Sequence, residues 1–242
     1  MKNVLLPFLL ALTILYGCAS RGGLGSVEHL GDISRIDTSQ TITKENAGKI
    51  LEQYIIDFTI PDPLVGSSAS GGSLFEEGNE AVINCRAVML DDFSTEADIL
   101  YNCRVDSLEG EACGEYRKRY EEDYLRDGMF RVLIVMESFF SPKSMEPEYW
   151  AMYLETPDGV MVEPTDRLAS PVQTVEDSIY SERNQRNYFR RTMTRNITLY
   201  FRKTTFFGED LLGGDKPYLM LVLSREQRTV ARVAWKLNDI SD

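Results

Sequence analysis

Histidine is almost missing from this chain. The single one, His29, stands in a polar, glycine-rich stretch of a 242-residue sequence. Serine and cysteine hydrolases that use a histidine base would have to fold that residue back onto a distant site, which speaks against them. Gly66-Ser67-Ser68-Ala69-Ser70 follows a nucleophile elbow only up to its last position, where glycine is lacking. No glycine loop of the Walker or dinucleotide type is present. The four cysteines have no zinc-like spacing. Positive charge is also scarce: 26 basic side chains face 38 acidic ones, for a net charge of −12. A chain of that sign has no general attraction to nucleic acid, whose phosphates supply most non-specific affinity. The longest apolar run, Val4 to Tyr16, is too short to span a bilayer comfortably.

That short run sits in an informative place. Lys2 supplies a positive start, and Leu15-Tyr16-Gly17-Cys18 places a small residue directly before a cysteine. The order charge, apolar run, small residue is that of a secretory signal. The last four residues resemble the lipobox of bacterial lipoproteins. The resemblance implies cleavage before Cys18, acylation of Cys18 and a place in the cell envelope. Ala19 after the cysteine is compatible with outer-membrane sorting in the resembled class. A cleaved soluble-secretion signal with a chance cysteine is the other reading. Lys2 is the only charged residue of the first 17, so residues 18–242 carry 25 basic and 38 acidic side chains, net −13. Such a chain does not adhere electrostatically to an anionic bilayer. Attachment would rest on acyl chains, each buried methylene contributing about 0.8 kcal/mol.

With 43% apolar residues, the rest of the chain is globular in composition. Residues 18–42, polar and without apolar periodicity, read as a flexible tether from Cys18. Residues 43–128 read as a helix over 44–58, stopped at Ile60-Pro61-Asp62-Pro63, then strands at 80–90 and 97–105 and a helix at 110–127. The segment 97–105 has a second reading, a helix capped by Ser94. Gly66 to Gly72 is a loop by composition. From Met129 to the end, six short strands alternate with turns, among them the Thr156-Pro157-Asp158-Gly159 turn and a last hairpin over 218–237. The expected fold is therefore α+β: a C-terminal antiparallel β-sandwich, immunoglobulin-like, over 129–242, preceded by an N-terminal helix and a small α/β segment. A barrel of short strands gives the same pattern. Export places Cys85, Cys103 and Cys113 in an oxidising compartment. Cys85 with Cys103 is the favoured disulfide, both lying in strand-like segments. Cys103 with Cys113 is the competing pair, and three reduced buried cysteines remain a third reading.

The sharpest anomaly is Tyr180 to Lys203, which holds seven basic residues and one acid. Arg183, Arg186, Tyr188, Arg190, Arg191 and Arg195 form the candidate binding set, because arginine forks and aromatics suit carboxylates, phosphates, glycans and protein hot spots. The contrary reading is internal neutralisation by the acidic 109–127 helix. Glu209, Asp210 and Asp215 offer oxygen ligands for a hard cation, but an ordinary inter-strand loop is the default, and no metal site is assigned. Phe139-Phe140 and Phe206-Phe207 are expected at core edges. The functional expectation is a membrane-anchored envelope lipoprotein, a non-catalytic interaction or assembly module without cofactor. Its partners are the bilayer, through acylated Cys18, and an acidic envelope protein or cell-wall glycan. A glycan-binding module and a carboxylate-based hydrolase are the alternatives.

Overall fold

A computed structural model describes residues 36–62, 64, 82–181, 186–212 and 216–236, with backbone alone for 177–181 and 186–190. The signal segment, Cys18, most of the tether, His29, the 66–72 loop, Arg183 and Asp215 lie outside the described residues. Among the described residues, three α-helices, α1 (Ala47–Glu52), α2 (Asp92–Val105) and α3 (Glu111–Tyr124), accompany ten strands. The strands are β1 (Ile55–Pro61), β2 (Val82–Leu90), β3 (Met129–Ser138), β4 (Ala151–Glu155), β5 (Met161–Val162), β6 (Asp166–Ala169), β7 (Gln173–Ser181), β8 (Arg186–Arg202), β9 (Tyr218–Arg225) and β10 (Arg228–Lys236).

All pairings are antiparallel, in two sheets. The first runs β1-β2-β3-β8-β6, with β7 also on β8, and the second runs β10-β9-β4-β5. Period-2 burial explains both. Ile56, Phe58 and Ile60 of β1, Val132, Ile134 and Met136 of β3, and Ile197, Leu199 and Phe201 of β8 lie in one apolar core. Met152, Leu154, Leu219, Leu221, Leu223, Ala231, Val233 and Trp235 of the second sheet enter the same core. Trp235 donates its indole N–H to the Tyr54 carbonyl at 2.9 Å, tying β10 to the end of α1.

The helix expected over 44–58 is replaced by six residues of α1 and the whole of β1. Ala47, Ile50, Leu51 and Tyr54 follow helical spacing, but from Ile56 the buried residues alternate with Asp57 and Thr59. Period 2 wins there because β2 offers β1 a full ladder, Ile55↔Val88 through Pro61↔Val82. Pro61 is tolerated at the end of an outermost strand. The 97–105 segment is helical. Asp91 accepts from the Ser94 N–H at 2.7 Å and Ser94 Oγ accepts from the Asp91 N–H at 2.9 Å, a reciprocal cap that launches α2. β2 joins the same sheet as β3, so residues before Met129 extend that sheet.

The favoured disulfide is corrected too. Cys103 at the end of α2 is bonded to Cys113 at the start of α3, with Cα atoms 5.5 Å apart. Helix formation over 92–105 turns Cys103 toward a second, smaller cluster with Ile99, Cys113 and Tyr120. Cys85 stays free and buried on β2. Among the described residues no helix is long and apolar enough to cross a membrane.

Candidate functional site

β8 is 17 residues long and changes partners along its length. Its C-terminal half, 193–202, pairs with β3 on one side. On the other side 197–200 pair with β6. Residues 186–192 pair only with β7 among the described strands, in the register Ser181↔Arg186 to Val175↔Thr192. The β7–β8 hairpin thus runs past the end of β3, whose last residue, Ser138, faces Met193, as a two-stranded ribbon. A ribbon of that kind presents strand edges that can pair with another chain.

The candidate binding residues divide along this strand. Arg186, Tyr188 and Arg190 are strand residues of the ribbon, opposite Ser181, Ile179 and Asp177. Arg191 stands directly opposite Glu176 and makes a 2.8 Å ion pair with it, both side chains more than half exposed. Arg195 belongs to the fold. Its side chain, 13% exposed, holds Glu146 at 2.6 Å and donates to the Ser170 and Met145 carbonyls. Among the described side chains, Arg191 and Arg195 are neutralised by Glu176 and Glu146.

A second concentration of chemistry lies between α2, α3 and β3. Arg131 of β3, nearly buried, donates to the Tyr120 hydroxyl, sits over the Tyr120 and Tyr124 rings and lies 3.9 Å from Asp98. Tyr120 in turn donates to Asp98. Burial, with the Asp98 charge adding to it, pushes the Tyr120 phenol far above the ordinary tyrosine range, so it stays protonated and a donor. Arg117 on the next turn is forked onto Glu96 of α2. This cluster pins the helical hairpin to the sheet. Two sequence signals mark it: tyrosines at 116, 120 and 124, four residues apart, and an arginine inside the apolar strand MFRVLIV.

The loop between β8 and β9 departs most from expectation. Phe206 is 98% exposed and Phe207 83%, so neither is a core edge, whereas Phe139 is partly buried. The turn is nonetheless tightly built. Gly208 N–H donates to the Thr205 carbonyl at 3.0 Å, Thr205 N–H to the Glu209 carbonyl at 2.7 Å, and Leu211 N–H to the Lys203 carbonyl at 2.8 Å. Gly208 has φ +83°, a conformation that glycine adopts without a Cβ clash. Thr205 and Leu211 are buried at the base, which forces the two residues between Thr205 and Gly208 outward.

Catalytic geometry is thin by comparison. A groove of about 370 Å³ is lined by Asp57, Phe58, Thr59, Asn84 and Cys85. Its one carboxylate among the described residues, Asp57, is forked onto Arg86. Burial pushes the Cys85 thiol far up, which leaves it protonated and a poor nucleophile. Glu209 lies 3.6 Å from Lys216, and no group of three ligating side chains converges among the described residues. Comparisons with protein-family models, with curated proteins and with solved structures return no match.

Proposed function

We propose that this chain is a membrane-anchored envelope lipoprotein, held in the bilayer through acylated Cys18 and acting as a non-catalytic interaction or assembly module. The β7–β8 ribbon is the observation that carries the reading. A hairpin that outruns its own sheet has strand edges left to offer a partner, and it bears Arg186, Tyr188, Arg190 and Arg191 in a chain that is otherwise acidic. Arginine and tyrosine are the side chains enriched where interfaces concentrate their energy. An acidic envelope protein is the partner that this charge favours, and the outer membrane is the location that Ala19 favours. The scaffold is read as a β-sandwich of the immunoglobulin-like kind. In support, the chain passes from one sheet to the other between β3 and β4, β5 and β6, and β8 and β9, and both sheets share one core.

The test is cross-linking in the native envelope, followed by purification of the Cys18-anchored protein and mass spectrometry. One stoichiometric protein partner is expected. Reversing the charge of Arg186, Arg190 and Arg191 together is expected to abolish its capture while circular dichroism stays unchanged. Unaltered capture removes the ribbon from the account. Recovery of cell-wall fragments in place of a protein turns the reading toward glycan binding.

A further inference from the structure

The two fully exposed rings of Phe206 and Phe207 have no use in the core. Single exposed apolar side chains are ordinary on a protein surface. Two adjacent phenylalanines at the centre of a turn are not, because turns favour Gly, Pro, Asn, Asp and Ser there. The rings contact each other edge to face, centroids 5.6 Å apart, and nothing else shields them. Together they offer roughly 300–400 Å² of apolar surface, in the range of a typical monomer's largest patch, which is often functional. The base of the turn is anchored by Leu211 in the core and by three backbone hydrogen bonds, so the rings are held out rather than left loose.

Their position in the fold says what they meet. Lys203, at the foot of the turn, donates its backbone N–H to Gly128 at 2.9 Å and its ammonium group to Asp92 at 2.5 Å. Arg202 faces Met129, and Leu90 faces Arg131, so the turn lies at the end of the first sheet where β2 finishes and β3 starts. β1 starts at that same end, where Ile55 faces Val88. Just ahead of it, Gln53 accepts from the Asp37 N–H at 3.0 Å. The chain therefore joins the fold at the end that carries Phe206 and Phe207. Tyr124 and Leu125, each nearly half exposed, lead into the turn at Gly128 on this end. Seventeen residues separate Cys18 from Ile36. Covalent geometry limits the span of seventeen residues to roughly 60 Å, whatever their conformation.

We infer that Phe206 and Phe207 insert into the headgroup–acyl boundary of a zwitterionic bilayer, as a second, non-covalent contact beside the lipid on Cys18. This rests on the lipoprotein reading for its source of membrane. The attraction is apolar, since Lys203 is satisfied by Asp92, Arg126 by Asp166, and the chain as a whole is acidic. The consequence is an orientation. β8 ends at Arg202 near the membrane, and its other end, Arg186, lies roughly 55 Å away along the strand at about 3.3 Å per residue, so the ribbon stands outermost.

The experiment places tryptophan at position 206 (Phe206→Trp) or, at the opposite end of β3, at position 140 (Phe140→Trp) in the full acylated chain. Each is reconstituted in phosphatidylcholine–phosphatidylethanolamine vesicles with nitroxide-labelled lipid. Trp150 and Trp235 are buried and give a constant background. The Phe206→Trp signal is expected to shift to the blue and lose most of its intensity to shallow nitroxides, at high salt as at low, while Phe140→Trp does neither. A chain that floats with the vesicles but leaves Phe206→Trp unquenched overturns the inference and leaves the lipoprotein reading standing. A blue shift without quenching overturns it too, in favour of a protein pocket or a second copy. The mass of the Cys18 peptide tests acylation separately. If acyl chains are absent, quenching of the free chain on added vesicles still upholds the membrane contact, and its absence refutes it.

Discussion

The two halves of β8 are one continuous strand with two different duties. Residues 193–202 lie between β3 and β6, and Met193, Ile197, Leu199 and Phe201 are buried there. Residues 186–192 have β7 alone among the described strands. An arginine in the first region, Arg195, is 13% exposed and holds Glu146 and two backbone carbonyls, while one in the second, Arg191, is 63% exposed and pairs with the residue across the ladder. The same residue type is structural or available according to how many neighbours surround its strand. Charge content alone does not tell the two apart.

The largest expected effect on this contrast comes from the core half. Phe201→Ala removes a fully buried ring stacked on Phe130 at 5.7 Å and is expected to lower stability by about 3–5 kcal/mol. Val175→Ala on β7, at a position 55% exposed, is expected to change it by less than about 0.5 kcal/mol. Urea midpoints at constant slope measure both, and equal losses would merge the two regions into one cooperative unit.

Replacing Cys103 and Cys113 together by serine opens a ten-residue separation and is expected to cost about 3 kcal/mol, read in the same way. Amide exchange in the ribbon should stay as it was, because the bond ties α2 to α3 and not β7 to β8. Increased exchange there would couple the ribbon to the helical hairpin.

Arg195→Met is expected to cost about 2 kcal/mol, since Glu146 is partly exposed and water recovers some of the loss. For Arg191→Met the figure is under about 0.5 kcal/mol. A loss at Arg191 as large as that at Arg195 would sink the division of β8 into two regimes.

The smallest effect is one of pH, in a region joined to neither half. Hydrogen bonds from Ser39 and Gln40 hold the exposed Asp37 carboxyl below the ordinary aspartate range. A depressed folded-state pKa contributes stability above the unfolded value and loses it as pH falls through the folded one. The 37–40 turn is therefore expected to loosen only at strongly acid pH. A carboxyl carbon titration of Asp37 by NMR with a midpoint at or above the usual aspartate value would refute it.

Much of the strand pattern was legible before folding. The alternation in 80–90, 129–140 and 196–203 and in the last hairpin corresponds to β2, β3, the core half of β8, and β9 with β10. The proline–glycine turn at 156–159 does return β4 into β5. The boundary between α1 and β1 was not legible, because Tyr54, Ile55 and Phe58 fit a helical stripe as well as an alternating one until β2 supplies a ladder. β6 and β7 escaped notice because their residues, DRLA and QTVEDSIYS, lack a clear apolar face; both are strands because β8 gives their backbones partners. The Phe206-Phe207 pair was misplaced for a related reason. Apolar character predicts burial on average, and only the closed turn at Thr205–Gly208 dictates which way two rings face.

By itself the sequence determined the acidic balance, the near absence of histidine, the α+β character and the resemblance of Leu15-Tyr16-Gly17-Cys18 to a lipobox, because these follow from residue types and local periodicity. The tertiary structure alone decided that Cys103 bonds Cys113 and that Arg195 is enclosed while Arg191 is exposed. It alone carried the ribbon beyond the sheet and left two phenylalanines in solvent. Each of those depends on which distant segments come to lie beside one another, and burial, pairing and exposure exist only once they have.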